Sequence, residues 1–194
     1  MAKLYFRHGT MGSAKTMNLL AVAHNYRSQG KRVVLLKPRL DNRFSDRAIV
    51  SRSGLSIDAD VLLERTTRLD PKDFEGLACV LVDEAQFLSA GLIEQLRDLT
   101  LRPGVPVICY GLRTDFQSRL FEGSKRLMEL ADSIEEVKVT CQFCNRKAIL
   151  NMRFVDGKPT LSGEQIVLGG DESYAPTCFT CFAERLPAVT HGAA

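Results

Sequence analysis

Gly9-Thr10-Met11-Gly12-Ser13-Ala14-Lys15-Thr16 follows the apolar stretch Lys3-Leu4-Tyr5-Phe6 and precedes the helical run Met17-Asn18-Leu19-Leu20-Ala21-Val22-Ala23. An apolar strand, a glycine-bearing loop ending in Lys-Thr and then a helix make the phosphate-binding loop pattern G-x-x-x-x-G-K-[ST]. There backbone amides and a helix N-terminus surround phosphate oxygens, Lys15 adds a point charge, and the Thr16 hydroxyl reaches Mg²⁺. One position departs from the pattern, because the second glycine is Ala14. Alanine there must either take an ordinary backbone angle or weaken the cradle. The plain alternative is a strand-to-helix turn that binds nothing.

Downstream, Leu77-Ala78-Cys79-Val80-Leu81-Val82 is apolar without a break and of strand length, the pattern of a strand buried on both faces of a parallel sheet. It ends in Asp83-Glu84-Ala85-Gln86, and ligands of such sheets lie at the carboxyl ends of strands. Asp83 is therefore expected to hold the metal of a Mg-nucleotide, directly or through water, and Glu84 to face the reacting group. The alternative is that both acids merely open the next helix, where they suit its dipole. Strands are expected over Lys3–Arg7, Arg32–Lys37, Leu77–Val82, Val105–Tyr110 and Ile134–Thr140, and helices over Lys15–Gln29, Ala90–Thr100 and Ser124–Ala131. That alternation implies an α/β fold with a mostly parallel sheet and flanking helices over residues 1–140. In the second helix Leu92, Ile93, Leu96 and Leu99 form a core-facing stripe behind an N-cap at Ser89.

The chain has 194 residues, 45% of them apolar, enough for one α/β domain and a small appendage. Its net charge of +3 is mild and its basic residues are dispersed, so charge gives no reason to expect a nucleic-acid partner. No apolar run approaches about twenty residues and no secretory signal opens the chain, so no membrane association and a cytoplasmic location are expected. In a reducing compartment six cysteines are free thiols or metal ligands. Arg39, Arg43, Arg47 and Arg52, in and just beyond the polar stretch Pro38–Arg47, either reach phosphates or form a solvated face.

After Thr140 the alternation stops. Cys141-Gln142-Phe143-Cys144 and Cys178-Phe179-Thr180-Cys181 are two C-x-x-C pairs, each able to deliver two thiolates to one tetrahedral ion. Structural Zn²⁺ is expected at Cys141, Cys144, Cys178 and Cys181, since four thiolates leave no open catalytic position. A zinc-ribbon-like lobe over residues 141–185 and a flexible tail over 186–194 complete the expected organisation. Within the lobe, Lys147–Phe154 alternates like a strand and Asp156-Gly157-Lys158-Pro159 suits a turn. The segment Ser162–Tyr174 reads either as a glycine-hinged lid over a small ligand or as part of a plain ribbon hairpin. Cys79 and Cys109, inside apolar strands, are expected to be buried small hydrophobes.

The phosphate loop, Asp83-Glu84-Ala85-Gln86-Phe87, Tyr110-Gly111-Leu112-Arg113-Thr114-Asp115-Phe116-Gln117, and two C-x-x-C pairs bracketing Leu168-Gly169-Gly170 and Tyr174 occur together. The combination closely resembles the thymidine kinase family of the cytosolic, zinc-containing type, from Lys3 to about Phe182. The resemblance implies a P-loop NTPase-like fold whose zinc lobe carries a lasso loop, and transfer of the ATP γ-phosphate to the 5′-hydroxyl of thymidine. It makes Glu84 the general base and Arg43, in the segment Asp41-x-Arg43, the group that offsets charge on the transferring phosphate. Lys15 matches the loop lysine, and Thr16 and Asp83 match the Mg²⁺ side. Phe87, Leu112, Phe116 and Phe121 match the apolar pocket for thymine, and Val167, Gly169 and Tyr174 match the lasso's substrate contacts.

Two positions depart from the family: it usually has glycine where this chain has Ala14, and many bacterial members have histidine where this chain has Cys181. Relatives form tetramers, so a homotetramer binding thymidine and ATP, with no nucleic acid, is implied. Two rival readings stand beside this one. A phosphate loop, an acidic strand end and a zinc ribbon also occur in nucleic-acid-stimulated ATPases, though this chain leaves no room for a second motor lobe and shows no basic stripe with interleaved aromatics. Ala14 motivates the other, a nucleotide-binding regulator without catalysis.

Overall fold

The structure is a computed structural model that describes residues 1–41, 47–166 and 174–186. Six strands form its main sheet: β1 (Leu4–His8), β2 (Val33–Pro38), β5 (Val61–Leu63), β6 (Cys79–Val82), β7 (Val107–Gly111) and β8 (Ser133–Glu136), in the order β5-β2-β6-β7-β1-β8. Every pairing in it is parallel. All carboxyl ends therefore lie along one edge, which brings the loops after β1, β2, β6 and β7 together. The uninterrupted apolar runs of β6 and β7 follow from this burial, since each strand is covered on both faces.

Three helices provide the cover. α1 (Lys15–Ser28) lays Leu19, Leu20 and Ala23 against Val33, Leu35, Leu81 and Tyr110 on one face. α2 (Ala90–Leu101) and α3 (Glu122–Leu130) bury Leu92, Ile93, Leu96, Leu99 and Leu127 against Leu4, Phe6, Val80 and Val107 on the other. The four leucine and isoleucine side chains of α2 expected to face the core are each at most 2% exposed. Ser89 caps α2 as expected, its hydroxyl accepting from the Leu92 amide at 3.4 Å. Full burial of one such leucine contributes about 1.5–3 kcal/mol, so this stripe outweighs any cap.

Several short elements were not anticipated, among them three strands that fall between β2 and β6 in the chain. β3 (Ala48–Val50) and β4 (Ser56–Asp58) form an antiparallel hairpin, and β5 adds an edge strand next to β2. The last strand of the main sheet is shorter than the Ile134–Thr140 expectation. β8 pairs only with β1, whose ladder ends where His8 lies opposite Glu136, so the chain leaves the sheet there.

A second, antiparallel sheet joins β9 (Leu150–Val155), β10 (Lys158–Thr160) and β11 (Tyr174–Thr177) in the order β10-β9-β11, followed by α4 (Phe179–Arg185). The strand expected from Lys147 begins only at Leu150. Asp156 and Gly157 turn the hairpin with φ of 49° and 72°, the paired positive angles a two-residue turn requires, while Lys158 and Pro159 already belong to β10. Leu150, Met152, Phe182 and Leu186 make a small separate core here. Among the described residues no helix is long and apolar enough to cross a membrane.

Candidate active site

The loop from Gly9 to Ala14 leaves β1 and enters α1 at the carboxyl edge of the sheet. Its turn is made by Gly12, with φ of 76°, and by Ala14, with φ of 60° and ψ of 25°. Ala14 thus takes neither of the two courses expected of it. It adopts the left-handed conformation a glycine would take, keeps the loop's shape, and carries the strain. The first turn of α1 contains no acidic side chain, so its amides present their partial positive charge to the cleft. Lys15 is buried along the loop, with Nζ donating to the Thr10 carbonyl at 2.7 Å and to the Ser13 hydroxyl at 3.2 Å.

Opposite the loop stands the end of β6. The Thr16 hydroxyl lies 3.4 Å from Asp83 Oδ2, which brings the two residues assigned to Mg²⁺ side by side. Burial, reinforced by the neighbouring charge of Glu84, pushes the Asp83 carboxyl up to about 7. A backbone bond at Glu84 and the opposing charge of Lys15 only partly relieve this.

Glu84 has φ of 48° and ψ of 38°, a left-handed conformation at a residue with a full side chain. It does not cap α2: it stands at the start of a 3-10 turn over Ala85–Phe87 with no side-chain bond to the turn's amides, and α2 begins later with its own cap. Gln86, 1% exposed, holds the carboxylate in place. Its Nε2 donates to Glu84 Oε2 at 2.5 Å, while its Oε1 accepts from the Leu112 amide at 3.0 Å. A backbone N–H can meet only the oxygen end of the amide, so the nitrogen end must face Glu84. Gly111 makes this possible, because a Cβ there would stand 2.6 Å from Gln86 Oε1.

These groups border a cleft of about 250 Å³ lined by the loop from Met11 to Met17, by Glu84, Gln86, Phe87 and Leu112, and by Val50–Ser53 from the β3–β4 hairpin. Of the nucleotide-site residues expected from sequence, Ala85 packs into the core, and Gly9 and Thr10 lie behind the loop beside His8 and Arg113. Burial and the charges of Arg113, Lys15 and Lys147 lower the His8 pKa, against the opposing pull of Glu136.

A smaller apolar pocket of about 40 Å³ adjoins the cleft through Met11, Phe87 and Leu112. Phe116, Phe121 and Tyr174 complete its aromatic wall, so all five described residues expected around the base come together. Phe87 and Phe121 meet edge to face at 5.8 Å and 84°, and Arg153 lies 5.0 Å from the Phe116 ring. Gln165 bonds Asp115 through Nε2 at 2.8 Å and also lines the pocket with Asn151, Thr114 and Ile166, none of which sequence reading singled out. Asn151 was detectable in principle as the one polar side chain amid the apolar Ile149-Leu150 and Met152. Arg43, Val167 and Gly169 lie outside the described residues.

The cysteines converge as their spacing requires. The sulfurs of Cys141, Cys144, Cys178 and Cys181 all lie within 4.8 Å of one another, and those of Cys144 and Cys178 are 3.7 Å apart. Four thiolates about 2.3 Å from a tetrahedral ion stand roughly 3.8 Å apart, so this donor set fits zinc. The Phe143 amide donates to Cys141 and the Cys181 amide to Cys178, both at 3.4 Å, forming two like knuckles. Burial opposes ionisation at Cys141, but the backbone amides of Cys178 and Phe143, followed by side-chain bonds with Thr177 and Cys144, bring it down to about 6. Cys79 and Cys109 are fully buried, and desolvation raises both thiols, as expected of core residues.

The thymidine kinase family profile matches residues 2–182. The "Thymidine kinase" of Lactiplantibacillus plantarum is 46% identical over 180 residues, covering 92% of this chain and 94% of that one. That of Lactococcus lactis is 44% identical over 184 residues, covering 92% and 95%. Among solved structures, the Pif1 helicase from Candida albicans superposes with a TM-score of 0.43 at 12% identity, over 70% of this chain and 36% of that one, a likeness that carries no argument.

Proposed function

Since the chain belongs to the thymidine kinase family, we propose that Glu84 is the general base of its phosphoryl transfer and that the aromatic pocket receives the thymine ring. The family assignment makes the chain an ATP-dependent nucleoside kinase that phosphorylates thymidine, with Mg²⁺ as the partner of ATP. The observation that carries the role of Glu84 is its clamp by Gln86, which aims one carboxylate from the strained turn into the cleft between loop and pocket.

In this reading the thymidine 5′-oxygen attacks the γ-phosphorus, the new P–O bond forms as the bond to the ADP oxygen breaks, and the hydroxyl proton passes to Glu84. Lys15 and the α1 amides offset charge on the phosphate oxygens. Thr16 and Asp83 would hold Mg²⁺, which supplies further charge neutralisation. Phe87, Leu112, Phe116, Phe121 and Tyr174 give the base an apolar enclosure. Cys141, Cys144, Cys178 and Cys181 would hold structural zinc. Arg43 remains the proposed charge-stabilising arginine on its sequence match, and Val167 and Gly169 the proposed lasso contacts. Buried free thiols at Cys79 and Cys109 support a cytoplasmic location.

Glu84→Gln tests the assignment. The variant is expected to lose about 10²–10⁴ in kcat while both Michaelis constants and the melting temperature stay near those of the parent. Near-normal conversion of labelled thymidine to its monophosphate by a folded Glu84→Gln protein would remove Glu84 from the base role.

A further inference from the structure

The phosphate loop is gripped from behind by a residue of the other sheet. Asn151, on β9, accepts a hydrogen bond at 2.8 Å from the Met11 amide through Oδ1. The remaining backbone amide bonds from Gly9 to Ser13 are longer: Gly9 to the Gly111 carbonyl and Ser13 to the Thr10 carbonyl, both at 3.3 Å. Asn151 is 4% exposed and sits between Leu150 and Met152, which are 4% and 0% exposed in the core of the second sheet. Its backbone lies in the centre strand, so its side chain is a fixed post and not a mobile surface group.

We propose that Asn151 is a positioning residue that turns the Met11 amide away from the cleft and so sets the phosphate loop in the shape that receives ATP. The proposal rests on the reading of Gly9–Thr16 as the ATP phosphate site. A loop whose turn is made by Gly12 and by a strained Ala14 has competing backbone arrangements, and one short bond to a rigid acceptor selects among them. Loss of that acceptor leaves the Met11 amide unpaired and lets the loop relax, which weakens ATP binding; Asn151 also lines the thymine pocket, so exchange at the Met11 amide is the reading that isolates the loop effect.

Asn151→Leu removes the acceptor while keeping the branched shape of the side chain, and Asn151→Asp retains the acceptor. In the ligand-free Leu variant, hydrogen exchange at the Met11 amide is expected to accelerate at least about tenfold while the Gly9 amide is unchanged, and the Asp variant is expected to restore protection. ATP affinity by calorimetry and the Michaelis constant for ATP should weaken about five- to tenfold in the Leu variant, more than the constant for thymidine, whose pocket Asn151 also borders. A Leu variant with parental melting temperature, zinc content, Met11 exchange and ATP affinity overturns the proposal. So does a variant in which only the thymidine constant rises, for Asn151 is then a pocket wall. If the Leu protein does not fold, Asn151→Ser, which is too short to reach the amide, is judged by the same readings. A parent protein that fails to bind ATP overturns the phosphate-site reading and this proposal together, whereas a parent that binds ATP beside an equally competent variant overturns this proposal alone.

Discussion

An alanine in the left-handed region bears roughly 1–2 kcal/mol that glycine would not, while glycine adds about 0.5–1 kcal/mol of backbone entropy to the unfolded chain. At Ala14 the first effect exceeds the second, so Ala14→Gly is expected to raise the melting temperature by about 1–4 °C. A lower value in calorimetry would mean that the methyl group makes contacts outweighing its strain. The substitution was visible in the sequence, but its backbone angle was not, because the tight turn into α1 overrides the local preference of alanine. Glu84 repeats the pattern: the acid could be named from the end of an apolar strand, yet its left-handed turn and its clamp by Gln86 depend on a loop more than twenty positions onward. Gln86, expected at the nucleotide, lines the cleft and is also bonded to the proposed base.

Elements were legible where burial repeats over enough residues to leave a period. α1 and α2 and strands β1, β2, β6 and β7 emerge near their expected bounds because each buries a continuous face. β3, β4 and β5 span three residues each, too few for any alternation to register, and they owe their pairing to distant neighbours. The hairpin so missed brings Val50–Ser53 to the cleft. Contact between elements is equally hidden from local pattern, as Gly123 illustrates. It lies in the first turn of α3 where the helix crosses the Ala85–Phe87 turn, and a Cβ there would stand 2.8 Å from the Leu88 carbonyl and closer still to that of Ala85. Backbone cannot yield as a flexible side chain can, so Gly123→Ala is expected to cost about 1–3 kcal/mol and lower the melting temperature by about 2–10 °C. The turn it displaces carries Glu84, so kcat should fall with stability; a variant with parental melting temperature and turnover would show that α3 moves aside freely.

At the scale of the whole molecule, the cysteine cluster holds together a sheet whose own core is only a handful of side chains. One zinc per chain is therefore expected by elemental analysis, and its removal by a strong chelator should expose residues 141–186 to proteolysis before the main sheet unfolds. Protein purified without chelator and found to contain no zinc would defeat this. The cluster was legible because C-x-x-C spacing is itself geometric, whereas the bond from Asn151 to Met11 joins residues with no common motif. The strand order has a consequence for synthesis. β1 lies between β7 and β8, so Leu4 must wait for Val107, roughly a hundred residues later, before it has a neighbour in the sheet. At about 5–20 residues per second, the ribosome leaves the first strand and the phosphate loop unpartnered for some 5–20 s. The nascent chain is exposed to chaperones throughout that interval, and a premature stop before β7 leaves a fragment with an apolar strand and nothing to close it.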